Sequence, residues 1–143
     1  MTSGDPAVRP ASTDVTLSWT SDLRFTGGKP GGPSIAIDGD GAAAPSPMQQ
    51  LLLSAAGCSG ADVVGILLKM QVELRELRID VGGIRREEWP RRYLAIHFEY
   101  RIGGAGLDES KARRAIDLSH EKYCSVIHSL APDMRITYGL TLV

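Results

Sequence analysis

Residues 46–70, SPMQQLLLSAAGCSGADVVGILLKM, decide how this chain is read. Ser46 is a good helix N-cap, and Pro47 suits the first helical position, where a missing N–H costs nothing. Leu52, Leu53, Ala56, Val63, Val64, Leu67 and Met70 then follow at helical spacing as a wide apolar stripe. The spacing predicts a helix from about 47 to about 72. Gly57, Ala61 and Gly65 recur every fourth residue; such a row lets another element approach closely, although glycine lowers helix propensity. At about 100° per residue, Cys58 points with Leu51, Ser54, Asp62 and Lys69 rather than with the centre of the stripe. That face is small and polar-edged, and a helix serving only as core has no reason to place Asp62 one turn from a thiol.

Upstream, DVTLSWT at 14–20 alternates Val15, Leu17 and Trp19 with polar residues, as a half-buried strand does. LRFTG follows after a short turn, which suggests a hairpin, and SIAID at 34–38 is a third strand. GGKPGGP at 27–33 and GDGAAAPSP at 39–47 are loops by composition. Downstream, ELRIDVGGIRREEW and YLAIHFEYRIGG flank PRR and read as a long hairpin. Asp108 caps a second helix, whose positions Ala112, Ala115, Ile116, Ser119, Tyr123, Val126, Ile127 and Leu130 keep helical spacing to about 130. APD stops it, and MRITYGLTLV is a final strand. The order β-β-β-α-β-β-α-β defines an α+β class with helices packed on antiparallel sheets.

The chain has 143 residues, 43% of them hydrophobic, which fits one globular domain over 14–143 behind a loose polar tail at 1–13. A formal charge of −1 offers no global attraction to nucleic acid or to an anionic membrane. No apolar run is expected to reach the ~20 residues of a membrane span, and the polar start lacks the apolar segment of a signal peptide. The expectation is a cytoplasmic protein, where thiols stay reduced. Its two cysteines are then free thiols, catalytic groups or metal ligands before they are a structural staple.

Two readings stand for Cys58 and Cys124. Buried free thiols behave as small hydrophobes. A redox pair instead lets one thiolate take an oxygen from an oxidant and the other condense with the sulfenic acid to a disulfide. The second reading needs α-carbons within roughly 7 Å, which only the fold can supply. His120, Cys124 and His128 recur at i, i+4 and i+8 and would share one helix face. Histidine and thiolate both bind zinc, but three ligands strung over two turns converge poorly, so no metal is assigned. Arg24, in SDLRFTG, is either a solvent-facing strand residue or a guanidinium that stabilises a thiolate and orients a peroxide oxygen. The run RREEWPRR at 85–92 reads as a solvated hairpin end. GGKPGG lacks the strand-to-helix setting of a phosphate loop, and no CxxC pair occurs.

Residues 46–70 resemble the central-helix motif of the OsmC/Ohr superfamily, in which a cysteine stands eleven residues after a proline, as Cys58 does after Pro47. LSHEKYCSV is similar to the second motif, where a cysteine follows Lys-Tyr, and the likeness extends over roughly 14–143. The resemblance implies an intertwined homodimer that reduces organic hydroperoxides, with hydrogen peroxide a further candidate. It makes Cys58 the peroxidatic and Cys124 the resolving thiol, and it makes Arg24 the candidate for the arginine that stabilises the thiolate. It implies no cofactor, and regeneration by an external dithiol such as a lipoylated protein. Leu51 near the helix start would face an alkyl chain. Well-studied members carry a glutamate right after the proline, paired with the arginine. Here that position is Met48, followed by the uncharged Gln49 and Gln50, so Asp62 is the candidate replacement acid. Met48 also keeps open an alternative: a non-catalytic dimer of the same fold that binds a small apolar ligand at its interface.

Overall fold

The computed structural model describes residues 12–143; the expected tail therefore lies, except for Ser12 and Thr13, outside the described residues. The elements run β1 (Thr16–Ser21), β2 (Arg24–Gly28), β3 (Ser34–Asp38), α1 (Pro47–Lys69), β4 (Glu73–Arg85), β5 (Tyr93–Ala105), α2 (Glu109–Leu118), α3 (Ser125–His128) and β6 (Arg135–Leu142). This is the expected α+β order. The chain divides between Gln50 and Leu51 into two compact units.

The first unit is an antiparallel meander, β1-β2-β3. Its tight turn places Asp22 at φ 46, a left-handed conformation that aspartate tolerates better than most residues. In register, Trp19 faces Phe25 and Arg24 faces Asp38. After β3 the loop is organised by the Asp38 carboxylate, which accepts from the backbone N–H of Asp40 (3.0 Å) and Ala43 (2.9 Å). The start of α1 follows. Ser46 Oγ accepts from the Gln49 N–H at 3.2 Å, and Gln49 Oε1 accepts from the Ser46 N–H at 2.9 Å. This reciprocal capping box satisfies two amides that a helix start otherwise leaves without partners. Gln50 Nε2 donates to Ala36 O at 3.2 Å and ties the helix start to β3.

The second unit holds a three-stranded sheet, β4-β5-β6. β4 and β5 form the expected antiparallel hairpin, but β6 pairs with β5 in parallel, Ile96 opposite Ile136 and Phe98 opposite Tyr138. The sheets are thus not antiparallel throughout. The helical segment between β5 and β6 carries the chain back to the start of the sheet, and a crossover of that length is what a parallel pair needs. Along β5, Ile96, Phe98, Tyr100 and Ile102 are fully buried, alternating with exposed His97, Glu99 and Arg101. α1 lies on the apolar side. Its buried residues are Ala55, Ser59, Gly60, Val63 and Leu67. Burial of Val63 and Leu67 contributes about 1.5–3 kcal/mol each. Gly60 allows the close approach: a Cβ there would stand 3.3 Å from Ile79 Cδ1. Leu53, expected in the stripe, is exposed.

Two boundaries differ from expectation. α1 ends at Lys69, because Gln71 takes φ 63 and turns the chain, with the Val72 N–H closing onto Leu67 O. α1 is also long and apolar enough to cross a membrane by length and composition, with mean hydropathy 1.9 over its most apolar window. Glycine and serine interrupt the leucines without making the segment polar, so no unbroken apolar run marks it. The helix is the core element of its unit, bonded through Ser59 to Tyr100 of the sheet.

The second helix does not continue to about 130. Asp108 caps α2 as expected, accepting from the Lys111 N–H at 2.8 Å, and Ala112, Ala115 and Ile116 are buried. Residues Ser119–Tyr123 then form a π-helical turn, and Cys124 leaves the helix altogether at φ −71, ψ 99 before α3 begins. A uniform helical spacing of apolar residues carries no mark of one wide turn followed by an extended residue.

Candidate functional site

Cys58 sits in the middle of α1, half-buried, and Cys124 is fully buried at the break between α2 and α3. Both are free thiols, and the two sulfurs and a carboxylate oxygen of Asp62 lie within 4.8 Å of one another. The fold thus brings Cys124 to the Cys58–Asp62 pair. Asp62 stands one turn after Cys58 on the same helix, so helical phase alone delivers that pair. Cys124 is delivered by the π turn: its N–H closes onto Ser119 O at 2.8 Å, and its extended backbone caps α3, Sγ accepting from the Ile127 N–H at 3.4 Å.

The two sulfurs differ in environment. Burial pushes the Cys124 thiol up from 9.0 to about 11; the Ile127 amide opposes the shift, and a hydrogen bond with Cys58 adds to it.

Beside the thiols lies a hydrogen-bonded chain that reading the sequence did not reveal. Ser119 Oγ is 3.0 Å from Asp62 Oδ2 and 2.9 Å from Ser59 Oγ. Ser59 Oγ is 2.6 Å from the Tyr100 hydroxyl, which is 2.7 Å from His120 Nε2. Ser59, Ser119 and Tyr100 are buried. Burial pushes Tyr100 up, so it remains a neutral hydroxyl, and burial pushes His120 down against the pull of Asp117. The imidazole is packed by Phe98 (4.9 Å, edge-on) and Tyr138 (5.5 Å). One signal was available in the sequence: serines directly after the thiol in α1 and at the start of the π turn are polar residues where a core face calls for apolar ones.

His120, Cys124 and His128 do not share a helix face. The break at Cys124 separates them, and the histidines are engaged elsewhere, His120 with Tyr100 and His128 Nε2 with His120 O at 3.0 Å. Cys58, Asp62 and Cys124 are closer to a metal-ligand set, three donors of types that bind zinc.

In the first unit, Arg24 has a carboxylate partner, Asp38 on the neighbouring strand, at 3.9 Å. The Asp38 carboxyl is held below its usual range, first by the Ala43 and Asp40 amides and less by Arg24. Asp38 is thus a carboxylate partner of Arg24 that the sequence did not single out. Gln49 is occupied as half of the capping box, and Leu51 is half-buried in the first turns of α1.

An α+β fold with two cysteines from separate helical segments in mutual reach defines a class of thiol proteins. The sequence profile of the OsmC-like protein family matches residues 38–139, and the chain belongs to that family. It is 38% identical over 128 residues to Protein YhfA of Escherichia coli strain K12, covering 89% of this chain and 96% of that protein. Among solved structures, a hypothetical protein from Aquifex aeolicus VF5 superposes with TM-score 0.80 at 31% identity, covering 94% of this chain and 99% of that one. The organic hydroperoxide resistance protein OhrB of Bacillus subtilis shares the fold at TM-score 0.60 and 16% identity, covering 92% and 98%.

Proposed function

We propose that this protein is a cytoplasmic, dimeric thiol peroxidase acting on organic hydroperoxides. The observation that carries the reading is the pair of free sulfurs, one half-buried and one buried, within 4.8 Å. Family membership and the fold shared with an organic hydroperoxide resistance protein support it.

The Cys58 thiolate attacks one peroxide oxygen. An S–O bond forms, the O–O bond breaks, and the departing alkoxide takes a proton to leave as alcohol. The Cys124 thiol then loses its proton and attacks the sulfenic sulfur; the S–S bond forms and the sulfenic oxygen leaves as water. Two electrons pass from the thiols to the peroxide, and the two thiol protons end in alcohol and water. An external dithiol, a lipoylated protein being one candidate, reopens the disulfide by exchange. Disulfide formation draws the sulfurs to about 2.05 Å, which the irregular backbone at Cys124 can accommodate more readily than a continuous helix. Arg24, steadied by Asp38, is the candidate cation for the thiolate and the peroxide, and Leu51 the candidate contact for an alkyl group. Exposed Val15, Leu17, Trp19 and Ile35 in the first unit, and separately exposed Leu53 with Gly57 and Gly65 of open surroundings in the second, suit surfaces covered by a second copy of the chain.

The test is a thiol titration before and after one equivalent of cumene hydroperoxide. Loss of two thiols per chain, restored by a dithiol, is expected. No loss sinks the enzyme and favours the non-catalytic dimer that binds a small apolar ligand, a reading that Met48 in place of the family's glutamate favours. Stoichiometric zinc in the purified protein would instead point to Cys58, Asp62 and Cys124 as ligands.

A further inference from the structure

We infer that the reduced protein holds one divalent d-block cation, zinc first among them, between the sulfurs of Cys58 and Cys124 and a carboxylate oxygen of Asp62. The ion site stands independently of the peroxidase reading; only its consequence for oxidation rests on that reading.

Donor chemistry and spacing carry the argument. The three donor atoms lie within 4.8 Å of one another. Among the described residues this is the one group of three histidine, cysteine or carboxylate side chains placed to share an ion. Ligands at a Zn–S distance of about 2.3 Å and a Zn–O distance of about 2.1 Å stand about 3.6–3.8 Å apart in a tetrahedron. Small side-chain rotations close the difference, and the half-buried Cys58 and Asp62 have the freedom to make them. Two sulfurs with one carboxylate select zinc-like ions over calcium or magnesium, which take oxygen ligands throughout. His120 and His128 stay outside the set. His120 Nε2 is 2.7 Å from the Tyr100 hydroxyl, and His128 Nε2 is 3.0 Å from His120 O.

The surroundings fit a metal site better than a sulfur pair alone. Each sulfur binds an ion as thiolate, so the ligated set brings three negative charges together. Among the described residues no lysine or arginine forms an ion pair with Asp62. A divalent cation among the three turns their repulsion into attraction. Two of the ligands are also held from behind. Ser119 Oγ reaches Asp62 Oδ2 at 3.0 Å, and the Ile127 N–H donates to Cys124 Sγ at 3.4 Å. Hydrogen bonds of this kind orient the ligands of a metal site and tune its affinity. Asp62 further lines an open depression of about 240 Å³ with Gly65, Lys69 and Tyr123, which gives an ion a way in.

The ion and the peroxide compete for the same sulfurs. In the ion-bound form the thiolate lone pairs are shared with the metal, so a hydroperoxide meets a weaker nucleophile. Oxidation discharges the site. The two thiolates give two electrons to the hydroperoxide, the S–S bond forms and the O–O bond breaks. Two protons from solvent complete the alcohol and the water, and the cation, left with one carboxylate, departs.

The experiment titrates the reduced protein with cobalt(II) in the absence of air and of peroxide, then displaces the cobalt with zinc. One cobalt per chain is expected, with the near-ultraviolet absorption of a cobalt–thiolate bond. Cys58→Ser and Cys124→Ser should each weaken that absorption and the binding. Asp62→Asn keeps the shape of the side chain and both thiols, so the result does not depend on a cysteine variant folding. It should weaken binding at least about tenfold, and Ser119→Ala, which only loosens Asp62, about tenfold to a hundredfold. Exposed His128→Ala should bind as wild type does. No cobalt bound, cobalt bound without the thiolate absorption, or wild-type affinity in Asp62→Asn overturns the site. A second readout adds cumene hydroperoxide. With zinc at a hundred times its dissociation constant only about 1% of the sites are free, and thiol loss should slow at least about tenfold. Each disulfide formed should release one zinc to a coloured chelator, and thiol loss at an unchanged rate with zinc bound overturns the site. Zinc-free protein that loses no thiols defeats the peroxidase reading, and the cobalt titration still decides the metal site.

Discussion

Cys58 and Cys124 reach the same spot by opposite means. Cys58 rides on a regular helix of 23 residues, where its neighbour Asp62 follows from phase alone. Cys124 stands where a helix fails, after a π turn and in an extended conformation, with its own sulfur capping the next four residues. Regular structure places the half-buried sulfur, and irregular structure places the fully buried one. π turns inside helices occur disproportionately at functional sites, and the reason here is geometric: one wide turn redirects the chain without lengthening it.

The comparison is broken most completely by Cys58→Ser, which is expected to abolish hydroperoxide consumption, whereas Cys124→Ser consumes the first equivalent and then accumulates over-oxidised Cys58. Peroxide assays with intact mass measurement separate the two. Deletion of exposed Lys122 from the π turn sharpens the contrast. Removing one residue there rotates Cys124 by about 100° around the α2 axis. Both thiols remain, but no Cys58–Cys124 disulfide should form when its mass is sought after oxidation.

A smaller effect follows from acidity. The Cys124 thiol is raised from 9.0 to about 11 in the fold, so between these values the unfolded chain has given up its proton and the folded chain has not. The contribution of this thiol to stability is therefore complete below pH 9 and lost as pH rises towards about 11. Denaturant titrations of wild type and Cys124→Ser should diverge in that window and run parallel below it. The smallest effect belongs to the other end of α1. Ser46→Ala removes half of the capping box and should cost about 1 kcal/mol by thermal melting, leaving the count of peroxide-sensitive thiols unchanged.

Much of this was legible in the chain itself. Ser46, Pro47 and Asp108 mark helix starts because capping is local chemistry between residues three apart. Cys58 and Asp62 follow from one helix period. Other features were hidden because no local pattern encodes them. The parallel partner of β6 is chosen by the crossover before it. Asp38 became the companion of Arg24 through cross-strand register, and neither residue advertises the other. The buried serines and Tyr100 look like ordinary interruptions of apolar stripes until two helical segments and a strand bring their oxygens together.

The sulfur of Cys124 is also a clasp. Its acceptance of the Ile127 N–H holds the first turn of α3 closed. A sulfur committed to a disulfide is drawn towards Cys58 and can no longer sit squarely beneath that amide. In the proposed cycle the redox state of the pair would thereby be written into a turn of backbone away from Cys58, and the Ile127 amide would report whether the disulfide has formed.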